Sequence, residues 1–530
     1  MAEKFLPLGI QDFEDMIEGN FVYVDKTKDI YELIRSPKAF YFLSRPRRFG
    51  KSLLVSTLGY LFQGRRDLFN GLWIAENTNW KWEKHPVVKI DFNGINSSTP
   101  SLLTKSLTNL IFTIGKEYKI SLQSKMIPNG FVELIKKLQS KYEKDVIILI
   151  DEYDKPLISH LGKGEKELEI AKQNRDVLKQ FFGVLKEQDV SGALRLVFIT
   201  GVSKFTRVSL FSDLNNLDDL SMESQFSAMF GYTEDELENN FHNYIKIMAN
   251  KLAISYQECK DQLQSWYNGY RFTEKFEKVY NPFSVLNALK KKKFQNYWFE
   301  TGTPSFLVNL IEEKDYPIPT IEKLTLPEDS FTTYDLETLD LEPLLFQTGY
   351  ITIEDHDDIM YQLSYPNQEV KVSFLSYLYK HFSLVKDTQL KNQYKLISRY
   401  LKHNNLESFI QIVNSIFAAI PYNLIANQAE NYYHSLFYLM LSASGVQVLS
   451  EILTSYGRID IAVEFNDKVY IIELKCNQSA DTAIAQIKEK KYAEKYLTSG
   501  RDIFLIGINF DTSKRNISDW RVEKLTDNSQ

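Results

Sequence analysis

The sequence predicts an α/β protein with two separate chemical centres, and three observations carry that prediction. Short, mostly apolar strand candidates at Phe40–Leu43, Val87–Phe92, Val146–Ile150 and Leu194–Ile199 alternate with stretches of helical spacing. That is the pattern of a mostly parallel sheet with helices on both faces. Gly50-Lys51-Ser52 closes the loop that follows the first run and opens a helical stretch. Near the C-terminus, Asp460 is expected to close one short strand, and the triplet Glu473-Leu474-Lys475 ends the next, after the apolar run Val469–Ile472. Strands have a side-chain period of two, so Glu473 and Lys475 share one face of theirs and Leu474 takes the other.

At 530 residues the chain exceeds a single core, and about three domains are expected. The expected boundaries are 1–230 for a nucleotide-binding domain, 231–380 for a helical lid with a winged-helix-like connector, and 381–530 for a nuclease-like domain. The net charge of −6 argues against a broad basic coat for nucleic acid, although a local basic groove remains open. Cys259 and Cys476 are the only cysteines. Two cannot build a structural zinc site alone, and such sparing use fits a reducing cytoplasm, the expected location. The first twenty residues lack an apolar core of the signal-peptide type. The apolar stretch around 436–449 is too short to span a bilayer and reads as a buried helix running into a strand. No membrane partner is expected, and self-association is left open.

Taken in order, the first run is a strand that meets the loop Ser44–Gly50, and the helix after it runs through Leu53, Leu54, Leu58, Leu61 and Phe62. Residues 101–118 and 131–142 have helical spacing. Val146–Ile150 is apolar throughout, as a strand buried on both faces requires, and it ends in Asp151-Glu152. A charged helix is expected over 166–188. From Tyr232 the character changes, with amphipathic helices at 234–250 and 256–267. Beyond Glu430 the expected order is helix, strands at 446–450, 458–464 and 468–475, a helix at 480–497, and a strand at 502–509. The polar tail after Trp520 is expected to fray.

The first centre is a phosphate site. The usual loop is G-x-x-x-x-G-K-[ST]; here Arg45 stands at the first glycine. Backbone amides across Arg47, Arg48, Phe49, Gly50, Lys51, Ser52 and Leu53, with the helix N-terminus, would surround phosphates. Lys51 would pair with the β/γ-phosphates, Ser52 and Asp151 would hold Mg²⁺, and Glu152 would act as the base. Thr200, after the next buried strand, is where a γ-phosphate sensor is expected; a strand-end turn residue is an equal reading. Arg207 and Arg271 are candidate fingers, for which surface or packing roles are the preferred reading.

The second centre joins Asp460, Glu473 and Lys475. Two carboxylates can converge on a hard cation while an ammonium stands beside the attacking water. With no histidine beside them, they suit Mg²⁺ or Mn²⁺ better than Zn²⁺. Glu430 could add a metal ligand or could simply favour its helix N-terminus. Glu451 is a candidate outer acid, and Gln486 and Tyr492 are candidates to face the site. Lys488, Lys490, Lys491 and Lys495 either touch phosphate or, with Glu489 and Glu494 between them, form a solvated helix face.

Three strings carry a resemblance: Tyr23-Val24-Asp25-Lys26-Thr27, Leu43-Ser44-Arg45-Pro46-Arg47-Arg48-Phe49-Gly50-Lys51-Ser52, and Ile150-Asp151-Glu152-Tyr153-Asp154-Lys155-Pro156. In these the chain resembles the bacterial AAA-ATPase-like proteins, and Arg45 belongs to that family's own pattern. Gly457-Arg458-Ile459-Asp460 and Ile472-Glu473-Leu474-Lys475 are similar to the PD-(D/E)xK nuclease superfamily. The resemblance implies an ASCE-type P-loop fold, ATP with Mg²⁺, and a restriction-endonuclease-like C-terminal domain. The expected function is ATP binding and hydrolysis coupled to metal-dependent cleavage of nucleic acid, with DNA the favoured substrate. The alternative is a nucleotide switch that binds nucleic acid or a protein partner with little or no cleavage.

Overall fold

The computed structural model describes residues 4–204, 216–299, 305–314, 316, 318–331, 340–357, 359–383, 387–418, 430–454, 457–514 and 516–525. Two compact units emerge: Met1–Leu310 with Leu324–Glu369, and Ile311–Lys323 with Val370–Gln530. The segment 231–380 is shared between them, most of it in the first.

The first unit is built on β1 (Ala39–Ser44), β2 (Val87–Asp91), β3 (Val146–Asp151), β4 (Leu194–Gly201) and β5 (Asp218–Asp219), in the order β2-β3-β4-β1-β5. Every pairing is parallel. The strand carrying Asp151 is therefore separated from the strand feeding the Gly-Lys-Ser loop by β4, which is the ASCE-type arrangement. All six residues of β3 are buried because both faces are covered. Val146, Ile148 and Ile150 join the core shared with helices Pro100–Glu117, Ile127–Tyr142 and Glu165–Gly183. On the opposite face Leu149 meets Gly59 of the helix Lys51–Phe62.

The expected charged helix ends at Gly183 rather than 188, and a tighter turn follows. The turn brings Val184 and Leu185 into the same core, and the short helix Gln188–Ser191 after it adds Val190, so burial overrides the helical charge pattern. Helices Glu234–Leu252 and Tyr256–Tyr267 match expectation, and each opens with a reciprocal cap, Thr233 with Glu236 and Ser255 with Glu258. The remainder of this unit holds further helices and a small antiparallel sheet of β6 (Leu324–Pro327), β7 (Thr352–His356) and β8 (Met360–Ser364), ordered β6-β8-β7. Among the described residues, no helix is long and apolar enough to cross a membrane.

The second unit centres on a mixed sheet of β9 (Gln447–Thr454), β10 (Gly457–Glu464), β11 (Lys468–Cys476), β12 (Asp502–Asp511) and β13 (Asn516–Leu525). Neighbouring pairs are antiparallel except β11 with β12. Two expectations are corrected here. The residues around Trp520 do not fray, since β13 runs to Leu525 along the sheet edge. The helix expected over 480–497 stops at Glu489, and Lys491 then takes a left-handed backbone with φ +48°. That reversal lets Tyr492 and Tyr496 enter the core beside Ile484 and Ile487.

Candidate active sites

In the first unit the loop after β1 turns at Arg48 and Gly50, both at positive φ (68° and 99°). Gly50 begins the helix Lys51–Phe62, and a Cβ on it would meet nothing within 4 Å. Lys51 is buried, with Nζ 3.1 Å from the Arg45 carbonyl, 3.2 Å from that of Pro46 and 3.9 Å from Glu152 Oε1. Arg45 does not face the loop's interior. Its guanidinium donates to the carbonyls of Ser44 (2.9 Å), Ser221 (2.7 Å) and Phe226 (3.3 Å) and lies 4.5 Å from the Phe272 ring centre. Burial pulls it below its ordinary range while Asp219 opposes; an arginine remains cationic through such a shift. Arg45 therefore anchors the loop from behind. Phe49 does the same with its ring, packing edge-on against Tyr270 and Phe272. The Arg47 carbonyl accepts from Trp298 Nε1 at 3.0 Å, and the Arg48 guanidinium lies over Phe283.

Asp151 is buried at the end of β3 and bonded to Ser52. Burial raises its carboxyl above the usual range; Ser52 and Lys51 act the other way. Its Oδ1 has no hydrogen-bond partner among the described residues. A buried, unsatisfied carboxylate oxygen beside a hydroxyl fits Mg²⁺ at this point. A cleft of about 610 Å³ opens here, lined by Arg47, Arg48, Gly50, Lys51, Ser52 and Glu152 on its polar side. Leu8, Ile10, Tyr232, Pro282 and Phe283 line its apolar side. Leu53 borders both this cleft and a smaller apolar cavity of about 100 Å³ that includes Val22, Leu54 and Phe230. Phosphate-binding groups beside an apolar slot suit a nucleotide.

Thr200 is fully buried, its hydroxyl donating to the Leu43 carbonyl at 2.6 Å, and it does not line the cleft. Arg271 is a packing residue, donating to the carbonyls of Thr273, Glu274, Lys275 and Glu354 and lying over Phe276. Arg207 lies outside the described residues. Sequence reasoning missed Asp154, whose carboxylate is fully buried and bound to residues 202 and 203. Burial first, and the charge of Glu152 second, push its carboxyl up to about 6.

In the second unit Ile461 pairs with Ile472 on adjacent antiparallel strands; Asp460 comes just before the first and Glu473 just after the second, so Asp460 opens the run Ile461–Val463 rather than closing a strand. The hairpin thus sets the two carboxylates side by side. Asp460 accepts the Leu474 N–H at 2.9 Å. Glu473 is 1 % exposed; its Oε1 accepts from Lys475 Nζ at 3.0 Å and from Gln486 Nε2, while Oε2 has no partner among the described residues. Burial, then repulsion from Asp460, raises its carboxyl to about 7, against the pull of Lys475. The Gln486 amide also reaches the buried Tyr492 hydroxyl at 3.4 Å, so both residues join the site.

Among the described residues no group of three or more His, Cys, Asp or Glu side chains forms a metal nest. Asp460 and Glu473 would supply two carboxylates, enough for an ion that keeps several waters. Glu430 begins the helix Glu430–Ala443 and Glu451 sits in β9; their side chains lie outside the described residues. The lysines near Gln486 are engaged: Lys488 with Glu523, Lys490 with Glu489, Lys491 with Glu494, and Lys495 over Tyr496. Sequence reasoning also missed Gly507 and Asn509, which pair with Glu473 and Lys475 across β11 and β12. A Cβ at Gly507 would lie 2.4 Å from the Ala480 carbonyl, so glycine there lets the helix bearing Gln486 pack closely.

Fold and sites together define a P-loop protein carrying a nuclease-type hairpin. Residues 7–211 match the family described as Predicted AAA-ATPase, and residues 428–520 match the PD-(D/E)XK nuclease superfamily. A protein of Azotobacter chroococcum mcd 1, described as "Uncharacterized protein in vnfD 5'region", is 37% identical over 536 residues. The match covers 99% of this chain and 100% of that one. The chain belongs to this family of AAA-ATPase-like proteins with a C-terminal PD-(D/E)XK nuclease-superfamily domain.

Proposed function

We propose that the protein binds and hydrolyses ATP and cleaves nucleic-acid phosphodiester bonds, with DNA as substrate and Mg²⁺ or Mn²⁺ at the nuclease centre. The observation that carries the cleavage reading is Glu473: a buried carboxylate beside Asp460, touched by Lys475, with one oxygen unpartnered among the described residues. In this reading Asp460 and Glu473 hold the ion, which supplies Lewis acidity toward the scissile phosphate when bound. Lys475 orients the attacking water and meets charge that develops only in the transition state. Gln486 fixes the Glu473 carboxylate, with Tyr492 behind it.

In the first unit Lys51 would exchange its two loop carbonyls for phosphate oxygens. Ser52 and Asp151 would hold Mg²⁺, which neutralises phosphate charge when bound. Glu152, bordering the cleft 3.9 Å from Lys51, would take the proton of the attacking water. Arg47 and Arg48 line the same cleft and would add positive charge.

The test is incubation of the full chain with supercoiled plasmid, ATP and either ion. Nicking or linearisation that disappears with EDTA and in Glu473→Gln, and ATP turnover that disappears in Lys51→Ala, are expected. Plasmid left intact under all conditions, with ATP bound tightly, would favour the switch-protein reading. Cleavage that persists in metal-free protein would overturn the metal assignment.

A further inference from the structure

The turn that carries Glu152 is fixed by a network that supplies no reacting group. Glu152 has φ +53°, a left-handed backbone that a non-glycine residue adopts when its surroundings impose it. Two residues on, Asp154 is fully buried. Its Oδ2 accepts from Val202 N at 3.0 Å, Ser203 N at 2.7 Å and Ser203 Oγ at 2.7 Å. Between these two acids, Tyr153 donates its hydroxyl to the Ser203 carbonyl at 2.6 Å and its N–H to the Thr200 carbonyl at 3.2 Å.

Gly201 lies where these groups meet. A Cβ there would fall 2.5 Å from Asp154 Oδ1 and 2.6 Å from the Tyr153 ring. The Gly201 carbonyl in turn accepts the Arg45 N–H at 3.2 Å. The end of β4 thus touches the first residue of the phosphate loop on one side and the Glu152 turn on the other. Three donors converge on one carboxylate oxygen, two of them backbone amides, so the group holds backbone in place.

We propose that Asp154 is a positioning residue for ATP hydrolysis. Seated on the 202–203 backbone, it holds Glu152 beside Lys51 and ties that glutamate, through Gly201, to the start of the phosphate loop. The inference rests on the ATPase reading above. Misplacing a reacting group by about 1 Å costs on the order of 10²-fold in rate while leaving ligand contacts elsewhere intact. The expected signature is a fall in kcat without a matching fall in nucleotide affinity.

The experiment measures ATP turnover, and separately the affinity for a fluorescent ATP analogue, on the full chain. Asp154→Ala is expected to lower kcat by about 10- to 100-fold with affinity changed by less than about 3-fold. Asp154→Asn keeps an oxygen that can accept the same donors and should recover most of the loss. Gly201→Ala, which removes no polar group, should fall in the same direction as Asp154→Ala. Tyr153→Phe, which keeps the ring and loses one bond, should show a smaller fall and remains informative if the harsher variants do not fold. Asp154→Asn as inactive as Asp154→Ala would overturn the proposal, because the charge itself would then be needed. Equal losses of affinity and kcat, or wild-type kcat in Tyr153→Phe and Gly201→Ala, would overturn it too. A wild type that binds the analogue but never hydrolyses ATP would overturn the ATPase reading, and this inference with it.

Discussion

Asp154 in the first unit takes its donors from residues 48 and 49 positions away, two of them backbone amides. Glu473 in the second is touched by side chains 2 and 13 positions away, Lys475 and Gln486. Both acids are buried and both are raised, yet one is embedded in a crossover between parallel strands and the other sits on a local hairpin. A site assembled from strand ends depends on backbone placement, so its weak points are glycines and residues such as Arg45 that brace a loop. A hairpin site is set by pairing register, so its weak points are the side chains themselves.

The largest expected effect falls on the hairpin. Lys475→Ala should cut nucleic-acid cleavage by about two to four orders of magnitude, because a group acting in the transition state is lost. ATP turnover should persist. Asp460→Ala should instead weaken the ion, so that added Mn²⁺ restores part of its activity while Lys475→Ala stays inactive. Cleavage rates, metal affinity and ATP turnover on the same preparations check this. Wild-type cleavage by Lys475→Ala would make the hairpin structural and dissolve the contrast between the units.

The next effect tests the braced loop. Arg45→Gly restores glycine to the usual first position, so the motif alone predicts improvement. The structure predicts the reverse. The substitution removes the guanidinium bonded to three carbonyls and stacked on Phe272, a loss of about 2–3 kcal/mol. Urea denaturation reads it directly. A gain in stability would show that the loop needs no brace.

How far the sequence revealed these sites follows from the same contrast. Asp460, Glu473 and Lys475 lie within sixteen residues of one another, and alternation alone puts the last two on one face. Strand β3 was legible because a doubly covered strand needs an unbroken apolar run, and β1, β2 and β4 because most of their residues are apolar even with Lys89, Asp91 and Arg195 among them. The β13 strand was not, since an edge strand carries Asp519, Arg521, Glu523 and Lys524 and so reads as a tail. Thr200 stands at the anticipated strand end, but pairing of β1 with β4 gives its hydroxyl to Leu43. Asp154, Gly201 and Ser203 gain their meaning only when β3 and β4 pair, and Gly507 and Asn509 only when β11 and β12 do. Pairing between distant strands leaves no local periodicity to read.

A third, smaller effect comes from pH. The Glu473 carboxyl is raised to about 7, chiefly by burial. A raised acid holds its proton in the folded state at pH values where the unfolded chain has lost it. Its stabilising contribution is therefore complete below the ordinary carboxylate range and is lost as pH rises through about 7. In EDTA, Glu473→Gln should gain stability relative to wild type between pH 6 and pH 8, because glutamine mimics the protonated form. Cleavage needs the ionised form and should rise over the same interval. Melting temperatures of both proteins, followed across that range, decide it; a constant difference would place the titration elsewhere.

The smallest effect concerns the lysines near Gln486. Their density suggests a phosphate-binding face, but Lys488 meets Glu523 at 2.6 Å and Lys491 meets Glu494 at 3.3 Å. Both are about half exposed. Exposed pairs of this kind contribute roughly 0–1 kcal/mol, so Lys488→Gln and Lys491→Gln should leave stability almost unchanged. The more telling measurement is nucleic-acid affinity against salt. A lysine neutralising one phosphate changes the slope of log affinity on log salt by about 0.9. If these lysines serve their carboxylates, the slope stays at the wild-type value and cleavage changes by less than about 3-fold. A slope flattened by about one unit for each substitution would mean that they leave Glu523 and Glu494 for phosphate. The second site would then extend along its helix, and its weak points would no longer be confined to the hairpin.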